Sequence, residues 1–194
     1  MTSTIVLGSG VNRGLGKGLV ELYLAKPNHS VIAANRDPES ASSKALAKLP
    51  TGSDSRLIVI KTDASVETDA LEAVKTLSSH GIDHIDIVMP TLESLTPGLK
   101  NQPPIPNAAY GTSKAAVHWL TKRINAEEKL TAFVISPGWC KTELGNAGAR
   151  HFGMAEAIVE PADSCRGMVE LIDVATKESH GGKLWDVQDG LLVW

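Results

Sequence analysis

A tyrosine and a lysine four residues apart carry the clearest chemical signal in the sequence. They are Tyr110 and Lys114, and they lie in a helical pattern over Tyr110–Leu130, where this spacing places both side chains on one helix face. A free phenol has a pKa of about 10, so it is a poor acid at neutral pH unless a nearby cation stabilises the phenolate. Alone, such a pair is more often ordinary surface chemistry. Together with the glycine-rich turn described next, it predicts a tyrosine acid whose pKa the lysine lowers.

A glycine-rich turn follows the first apolar run of the chain. Gly10, Gly14 and Gly16 stand where this run passes into a helical pattern. Absent side chains let a phosphate approach the backbone, where N–H groups and the helix dipole hold its charge. The alternative is a tight strand-to-helix turn without a ligand, and a Walker-type loop is excluded because Gly18 stands where serine or threonine is needed. The predicted nucleotide contacts in this turn are Ser9, Gly10, Asn12, Arg13, Gly14, Leu15 and Gly16.

The residues that end the second apolar run indicate which nucleotide would bind. NAD sites usually place an acid here, which accepts hydrogen bonds from the ribose hydroxyls. Asn35 and Arg36 take that place instead. An uncharged residue beside a guanidinium suits a 2′-phosphate, and Arg13 in the glycine turn can reach the same group. We therefore predict NADP in preference to NAD; the alternative is that Arg36 is a solvated loop residue.

The third apolar run ends in a carboxylate, Asp63. At this end of a parallel strand it lies on the ligand-binding rim of the sheet, where it can accept a hydrogen bond from an adenine amino group. Aspartate followed by Ser65 is equally typical of the start of the next helix. The sequence leaves both interpretations open.

The apolar run over Ala132–Ile135 is followed by a segment that turns the chain sharply. Pro137 and Gly138 direct it off the strand end, and Thr142 follows. If this turn lies over a cleft, the threonine hydroxyl can bond the carboxamide of a bound cofactor. The alternative is a plain turn.

Apolar runs and helical patterns alternate along the whole chain. The runs are almost continuously apolar, which is typical of strands buried on both faces of a parallel sheet. Strands that alternate with helices predict right-handed βαβ units and a doubly wound, Rossmann-like α/β sheet, here as a single domain over residues 1–194. The predicted strands are Ile5–Leu7, Val31–Ala34, Leu57–Ile60, Ile85–Met89, Ala132–Ile135 and Lys183–Val187. The predicted helices are Leu15–Ala25, Glu39–Leu49, Glu67–Ser79, Tyr110–Leu130 and Asp163–Ala175.

Taken together, these motifs resemble the short-chain dehydrogenase/reductase family, and within it fungal ketoreductases of the norsolorinic acid type. The glycine turn matches the family's Thr-Gly-x-x-x-Gly-x-Gly pattern with Ser9 for threonine, and Tyr110 and Lys114 match its catalytic pair. Asp63 matches the family's adenine-side acid, and the segment 137–142 matches its post-strand loop. The resemblance covers nearly the whole chain and implies reduction of a ketone with NADPH, or the reverse oxidation. It implies that the tyrosine protonates the carbonyl oxygen, the lysine binds the ribose and lowers the pKa of the tyrosine, and a serine positions the substrate.

The chain departs from the family's pattern after the fourth predicted strand. The family has a helix and a serine-bearing fifth strand there, whereas only a proline-rich loop over 90–107 separates Ile85–Met89 from the tyrosine helix. We therefore predict a sheet that lacks one central helix–strand unit. Thr91 falls nearest the serine position, with Ser94 second, and one of them is predicted to contact the substrate carbonyl. The tyrosine helix also loses the helix it usually packs with at the family's dimer interface, so it needs a new partner or exposes an apolar face.

Composition excludes several other classes of protein. The 194 residues carry 19 Lys and Arg against 22 Asp and Glu, a formal net charge of −3 without a basic run, so we expect no nucleic-acid partner. No apolar run is long enough to cross a membrane, and the N-terminal residues do not read as a signal peptide, so we expect no membrane partner and a cytoplasmic location. The two cysteines show no disulfide framework or metal spacing, and we expect no metal.

The motifs and the resemblance together imply an NADP-dependent (NADPH) reductase, and the resemblance implies that it acts on a small-molecule ketone in secondary (polyketide) metabolism. The alternative is a truncated relative that binds a dinucleotide or a protein partner without turnover. The identity of the carbonyl substrate and the oligomeric state do not follow from the sequence.

Overall fold

The computed structural model describes residues 3–90 and 108–193. The chain divides into two compact units, Met1–Leu92 and Glu93–Trp194. Thr91 and Ser94, the two residues predicted to contact a substrate carbonyl, lie outside the described residues. The prediction of one domain over residues 1–194 stays a prediction.

The first unit is a parallel sheet with helical connections. Its strands are β1 (Thr4–Ser9), β2 (His29–Asn35), β3 (Arg56–Lys61) and β4 (Ile87–Pro90). Its helices are α1 (Gly14–Ala25), α2 (Ala41–Lys44), which continues as a 3-10 helix over Ala45–Lys48, and α3 (Asp69–Ser79). The strands run parallel in the order β3-β2-β1-β4. The carboxyl ends of β1, β2 and β3 therefore lie at one edge of the sheet, followed by the glycine turn, Arg36 and Asp63.

The core of the first unit forms where apolar strand residues meet apolar helix faces. β2 is buried along almost its whole length, as expected for a strand with a neighbour on each side. Ala73 and Leu77 lie four residues apart on α3 and pack into this core. One buried cluster contains Ile5, Ile32, Ala34, Ile58, Ile60, Ala73, Leu77 and Ile82. The buried side of α1 contains Leu15, Gly16, Leu19, Val20, Tyr23 and Leu24.

The second unit begins with the tyrosine helix and ends in a small mixed sheet. Its helices are α4 (Ala108–Glu127), α5 (Glu143–His151) and α6 (Pro161–Asp173). Its strands are β5 (Val134–Ser136), β6 (Leu184–Asp186) and β7 (Gly190–Leu192). β5 pairs with β6 in parallel, and β6 pairs with β7 antiparallel.

The predicted α/β class with a parallel sheet is confirmed. Each predicted strand and helix has a counterpart, although Glu39–Leu49 is divided between α2 and the 3-10 helix. The described strands form two sheets, in which β4 is an edge strand of the first and β5 an edge strand of the second. β7 and α5 were not predicted. β7 has only three residues, and α5 is nine residues long and contains two glycines, which disfavour a helix.

The tyrosine helix exposes apolar side chains, which is one of the two outcomes expected from the loss of its usual partner helix. Trp119 is 66% exposed and Leu120 is 54% exposed, whereas His118 beside them is buried. Among residues 3–90 and 108–193, no helix is long and apolar enough to cross a lipid bilayer.

Candidate functional site

The predicted site residues form two groups, one in each unit. The glycine turn and the residues after β2 and β3 belong to the first unit. The tyrosine–lysine pair and the segment after β5 belong to the second.

The glycine turn joins β1 to α1 through backbone conformations that side chains disfavour. Gly10 has φ of 69° and Gly14 has φ of 55°, both in the left-handed region that glycine adopts without steric cost. The Gly10 N–H donates to the carbonyl oxygen of Ala34 at 2.9 Å, which ties the turn to β2. Arg13 is the N-cap of α1, and the first turn of that helix contains no acidic residue. The N-terminus of α1 therefore presents a positive dipole end without a carboxylate to oppose an anion.

Asn35 is buried and hydrogen-bonds to the glycine turn instead of facing solvent. The residue is 1% exposed. Its Oδ1 accepts a hydrogen bond from the Val11 N–H at 3.0 Å, and its Nδ2 donates to the hydroxyl of Ser43 at 3.3 Å. A second contact joins the turn to α2, from the Asn12 side-chain amide to the Ser42 hydroxyl at 2.8 Å. Neither serine is predicted from the sequence, because nothing in their local pattern indicates that α2 contacts the turn.

Arg36 follows Asn35 and extends into solvent. Its side chain is 82% exposed, and its Nε lies 3.5 Å from Oδ2 of Asp63, which is 18% exposed. A guanidinium has five N–H donors, so contact through Nε leaves the two terminal nitrogens to bind an anion. The structure thus places Arg36, the residue predicted to bind a 2′-phosphate, next to Asp63, the predicted adenine-side acid.

Asp63 is engaged in a local turn before α3. Its Oδ1 accepts from the Ser65 N–H at 2.9 Å and from the Ser65 hydroxyl at 2.7 Å. These bonds hold the pKa of Asp63 below its ordinary value, with smaller contributions from the charges of Arg36 and Lys61. The Asp63 N–H donates to Asp69, the first residue of α3, at 2.9 Å. Asp63 therefore closes a turn before α3 and does not cap that helix, whose N-cap is Thr68, while the adenine contact stays a prediction.

The structure brings Tyr110 and Lys114 together on α4. The Lys114 ammonium lies 5.1 Å from the centroid of the Tyr110 ring, and both residues are partly buried. His118 lies one further turn along the helix and is 4% exposed. Burial, and then the charge of Lys114, lowers the pKa of His118 below its ordinary value. The histidine is therefore neutral at pH 7 and adds no second cation to this helix face.

The segment after β5 is fixed by buried hydrogen bonds. The Ser164 hydroxyl on α6 donates to the carbonyl oxygen of Pro137 at 2.8 Å. Gly138 has φ of 76°, a conformation that favours glycine and turns the chain off the strand. Thr142 is the N-cap of α5, where its Oγ1 accepts from the Gly145 N–H at 3.0 Å. A hydroxyl that accepts this bond still has a hydrogen to donate, so capping does not exclude the predicted carboxamide contact.

Lys141, which is not predicted as a site residue from the sequence, links this segment to two glutamates that follow α5. Its Nζ lies 2.6 Å from Glu156 and 2.7 Å from Glu160, and these hydrogen bonds raise the pKa of the lysine. Its backbone N–H donates to Val159 at 2.9 Å. Two distant acidic residues give no recognisable signal in the sequence.

Comparisons with known proteins identify the family. The chain is 34% identical over 244 residues to norsolorinic acid ketoreductase nor1 of Dothistroma septosporum, covering 96% of this chain and 91% of that protein. It is 30% identical over 248 residues to short-chain dehydrogenase RED3 of Pyricularia oryzae, covering 99% of each. No protein-family model matches the chain. By these relatives, the chain belongs to the short-chain dehydrogenase/reductase family.

Solved structures show the same fold at low sequence identity. Carbonyl reductase Sniffer of Drosophila melanogaster matches with a TM-score of 0.78 and 17% identity, with both chains fully covered. NADPH-bound carbonyl reductase from chicken fatty liver matches with a TM-score of 0.73 and 16% identity, again over both whole chains.

The matched relatives also contain sequence that this chain lacks. The match to nor1 extends over 244 positions, and a chain of 194 residues leaves at least 50 of them, the difference between these lengths, without a counterpart. A deficit of this size agrees with the loss of one helix–strand unit.

Proposed function

We propose that this protein is an NADPH-dependent reductase that converts a ketone to an alcohol, with Tyr110 as the acid. The single observation that carries this proposal is the tyrosine–lysine pair on α4, with 5.1 Å between the Lys114 ammonium and the centroid of the Tyr110 ring. Relatives whose names specify norsolorinic acid ketoreductases favour a polyketide ketone as the substrate class.

The residues of the first unit fit a dinucleotide. Gly10 and Gly14 adopt conformations in which an added Cβ would be strained, and the N-terminus of α1 can hold a pyrophosphate. Arg36 offers an exposed guanidinium for a 2′-phosphate. When bound, NADPH supplies the hydride that reduces the carbonyl carbon.

The residues of the second unit supply the proton and orient the ligands. Tyr110 donates the phenolic proton to the carbonyl oxygen, because the neighbouring Lys114 cation stabilises the phenolate left behind. The same lysine can donate hydrogen bonds to a ribose, and Thr142 can donate to a carboxamide. Thr91 of the first unit or Ser94 of the second supplies a hydroxyl to the carbonyl in place of the family's serine.

A second candidate function is binding of a dinucleotide without turnover. The deficit of at least 50 positions, the difference between 244 and 194, favours this alternative. Removing a positioned group from an active site typically reduces the rate by about 100-fold or more.

Oxidation of NADPH over a panel of carbonyl compounds tests both functions. We expect turnover by the wild-type protein, and in Tyr110→Phe a fall of at least about 100-fold because the acid is lost. The dissociation constant of NADPH should change less than about threefold, because the ring and Lys114 remain. Thr112→Ala, at an exposed position of the same helix, is the matched control and should keep the wild-type rate.

The outcomes separate the two functions. Equal rates for wild type and Tyr110→Phe would remove the tyrosine from the mechanism. Tight binding of NADPH without oxidation by any carbonyl would support the second function instead of the first.

A further inference from the structure

Two consecutive residues at the end of β2 face different surroundings. Asn35 is 1% exposed, whereas the side chain of Arg36 is 82% exposed. β2 ends at Asn35, whose buried amide is bonded to Val11 and Ser43, so of these two neighbours only Arg36 is open to an added phosphate. The sequence alone predicts that both of them serve the 2′-phosphate.

The amide of Asn35 is a bridge between the glycine turn and α2. On one side its Oδ1 holds the Val11 N–H at 3.0 Å, and on the other its Nδ2 donates to Ser43 at 3.3 Å. Ser43 is also 1% exposed, and its hydroxyl donates to the Asp37 carbonyl oxygen at 2.7 Å. Each polar group of this buried chain therefore has a partner, which is the condition under which such a network fixes one geometry.

A second tie joins the same two segments at the surface. The Asn12 side-chain amide in the glycine turn donates to the Ser42 hydroxyl of α2 at 2.8 Å. The turn is thus held at two consecutive residues, Val11 through its backbone and Asn12 through its side chain. These hydrogen bonds matter for ligand binding because backbone N–H groups bind a phosphate well only when they already point toward it.

We propose that Asn35 is a positioning residue for the dinucleotide pyrophosphate and not a ligand of the 2′-phosphate, which the proposed function assigns to Arg36. This inference rests on the proposed dinucleotide binding. Asn35 sets the backbone of the glycine turn, with Ser43 as its anchor on α2. Loosening the turn weakens the binding of every ligand that carries a pyrophosphate, whether or not it has a 2′-phosphate. Changing Arg36 weakens the binding only of ligands that carry a 2′-phosphate.

Equilibrium titration with three ligands separates these roles. NADPH carries both the pyrophosphate and the 2′-phosphate, NADH only the pyrophosphate, and 2′-AMP only the 2′-phosphate. For Asn35→Ala we expect affinities for NADPH and NADH to fall by the same factor, on the order of tenfold for a lost buried hydrogen bond, with 2′-AMP within about twofold of wild type. For Arg36→Gln we expect a loss of about tenfold or more for NADPH and 2′-AMP, with NADH unchanged.

Ser43→Ala is the second variant, because it removes the anchor of Asn35 and leaves every proposed ligand contact in place. It should give the Asn35→Ala pattern with a smaller loss, and it keeps the test valid if Asn35→Ala does not fold. A cooperative thermal transition, measured for each variant, verifies the fold. Lys44→Gln, an exposed residue of α2, is the matched control and should bind all three ligands as wild type does.

Three results would overturn the inference. Equal loss of all three ligands in Asn35→Ala or Ser43→Ala would mean a general structural role. A larger loss of NADPH and 2′-AMP than of NADH would place Asn35 at the 2′-phosphate. Unchanged binding of all three ligands in both variants would show that the Asn35 bridge has no role in dinucleotide binding. Wild-type protein that binds none of the three ligands would instead defeat the proposed function, and this inference with it.

Discussion

At the scale of single residues, the structure separates side chains that the sequence places in one group. Asn35 and Arg36 are neighbours in the chain, yet one is buried under the glycine turn and the other is exposed at the sheet edge. Tyr110 and Lys114 are four residues apart, yet they meet. Different causes explain the two results. β2 ends at Asn35, so Arg36 lies beyond the strand, whereas side chains four residues apart share one face of a helix.

Asp63 provides a residue-scale prediction about acid stability. Hydrogen bonds from Ser65 lower its pKa in the folded protein, so on acidification the unfolded chain takes up this proton before the folded chain does. The contribution of Asp63 to stability is therefore present above the unfolded pKa of about 3.9 and is lost as the pH falls through the folded pKa. We expect Asp63→Asn to lose less stability than wild type between about pH 5 and pH 2.

Urea denaturation at a series of pH values measures this difference. Asp54→Asn removes an exposed carboxylate of the same unit and is the control, expected to follow the wild-type pH profile. Parallel profiles for wild type and Asp63→Asn would contradict the turn role assigned to the carboxylate.

At the scale of elements, the start of α5 depends on one close approach of two backbone segments. A Cβ added at Gly145 would lie 1.9 Å from the carbonyl oxygen of Cys140, which is backbone and cannot rotate away. The same glycine donates its N–H to the capping hydroxyl of Thr142. Close approach at this point lets the cap form and the helix begin directly after the segment that follows β5.

Gly145→Ala should therefore destabilise the protein strongly, by roughly 2–4 kcal/mol, because the backbone must move to relieve the overlap. Gly148→Ala is a matched control in the same helix, since its nearest contact would be 3.8 Å from Trp139. It should leave stability unchanged or raise it by up to about 1 kcal/mol, as alanine favours helix. Chemical denaturation of both variants is the measurement, and equal stabilities would refute the close approach.

At the scale of the whole molecule, buried histidines link stability to pH near neutrality. His180 is 6% exposed and stacks on Trp185 with 4.3 Å between ring centroids. Burial, and then the charge of Lys183, lowers its pKa, and the pKa of His118 is lowered in the same direction. The unfolded chain therefore binds protons at these positions more readily than the folded chain does.

The free energy of unfolding should consequently fall as the pH drops below about 6.5, the ordinary histidine pKa. His84 acts in the opposite sense, since Asp83 raises its pKa, but it is exposed and screened by solvent. We expect His180→Gln to flatten the stability profile between about pH 7.5 and pH 5.5, measured by denaturation. His151→Gln, at an exposed position, should keep the wild-type slope; an unchanged slope in His180→Gln would exclude His180 as a source of the effect.

The sequence by itself determined the features that depend on local rules. Apolar runs that alternate with helical patterns specified a parallel α/β sheet, since strand burial and helix periodicity are properties of short segments. Glycine placement specified the turn after β1, where Gly10 and Gly14 do have positive φ. The shortened segment before Tyr110 specified the missing unit, because too few residues remain there to form it.

Only the tertiary structure decided which distant side chains serve those features. The bridge from Val11 through Asn35 to Ser43, and the two glutamates around Lys141, join residues whose local patterns are unremarkable. Asp63 was left between two roles by its sequence, and its bonds to Ser65 follow from the path of the chain after β3. Burial and hydrogen-bond partners depend on which segments the fold brings into contact, and no local pattern encodes that.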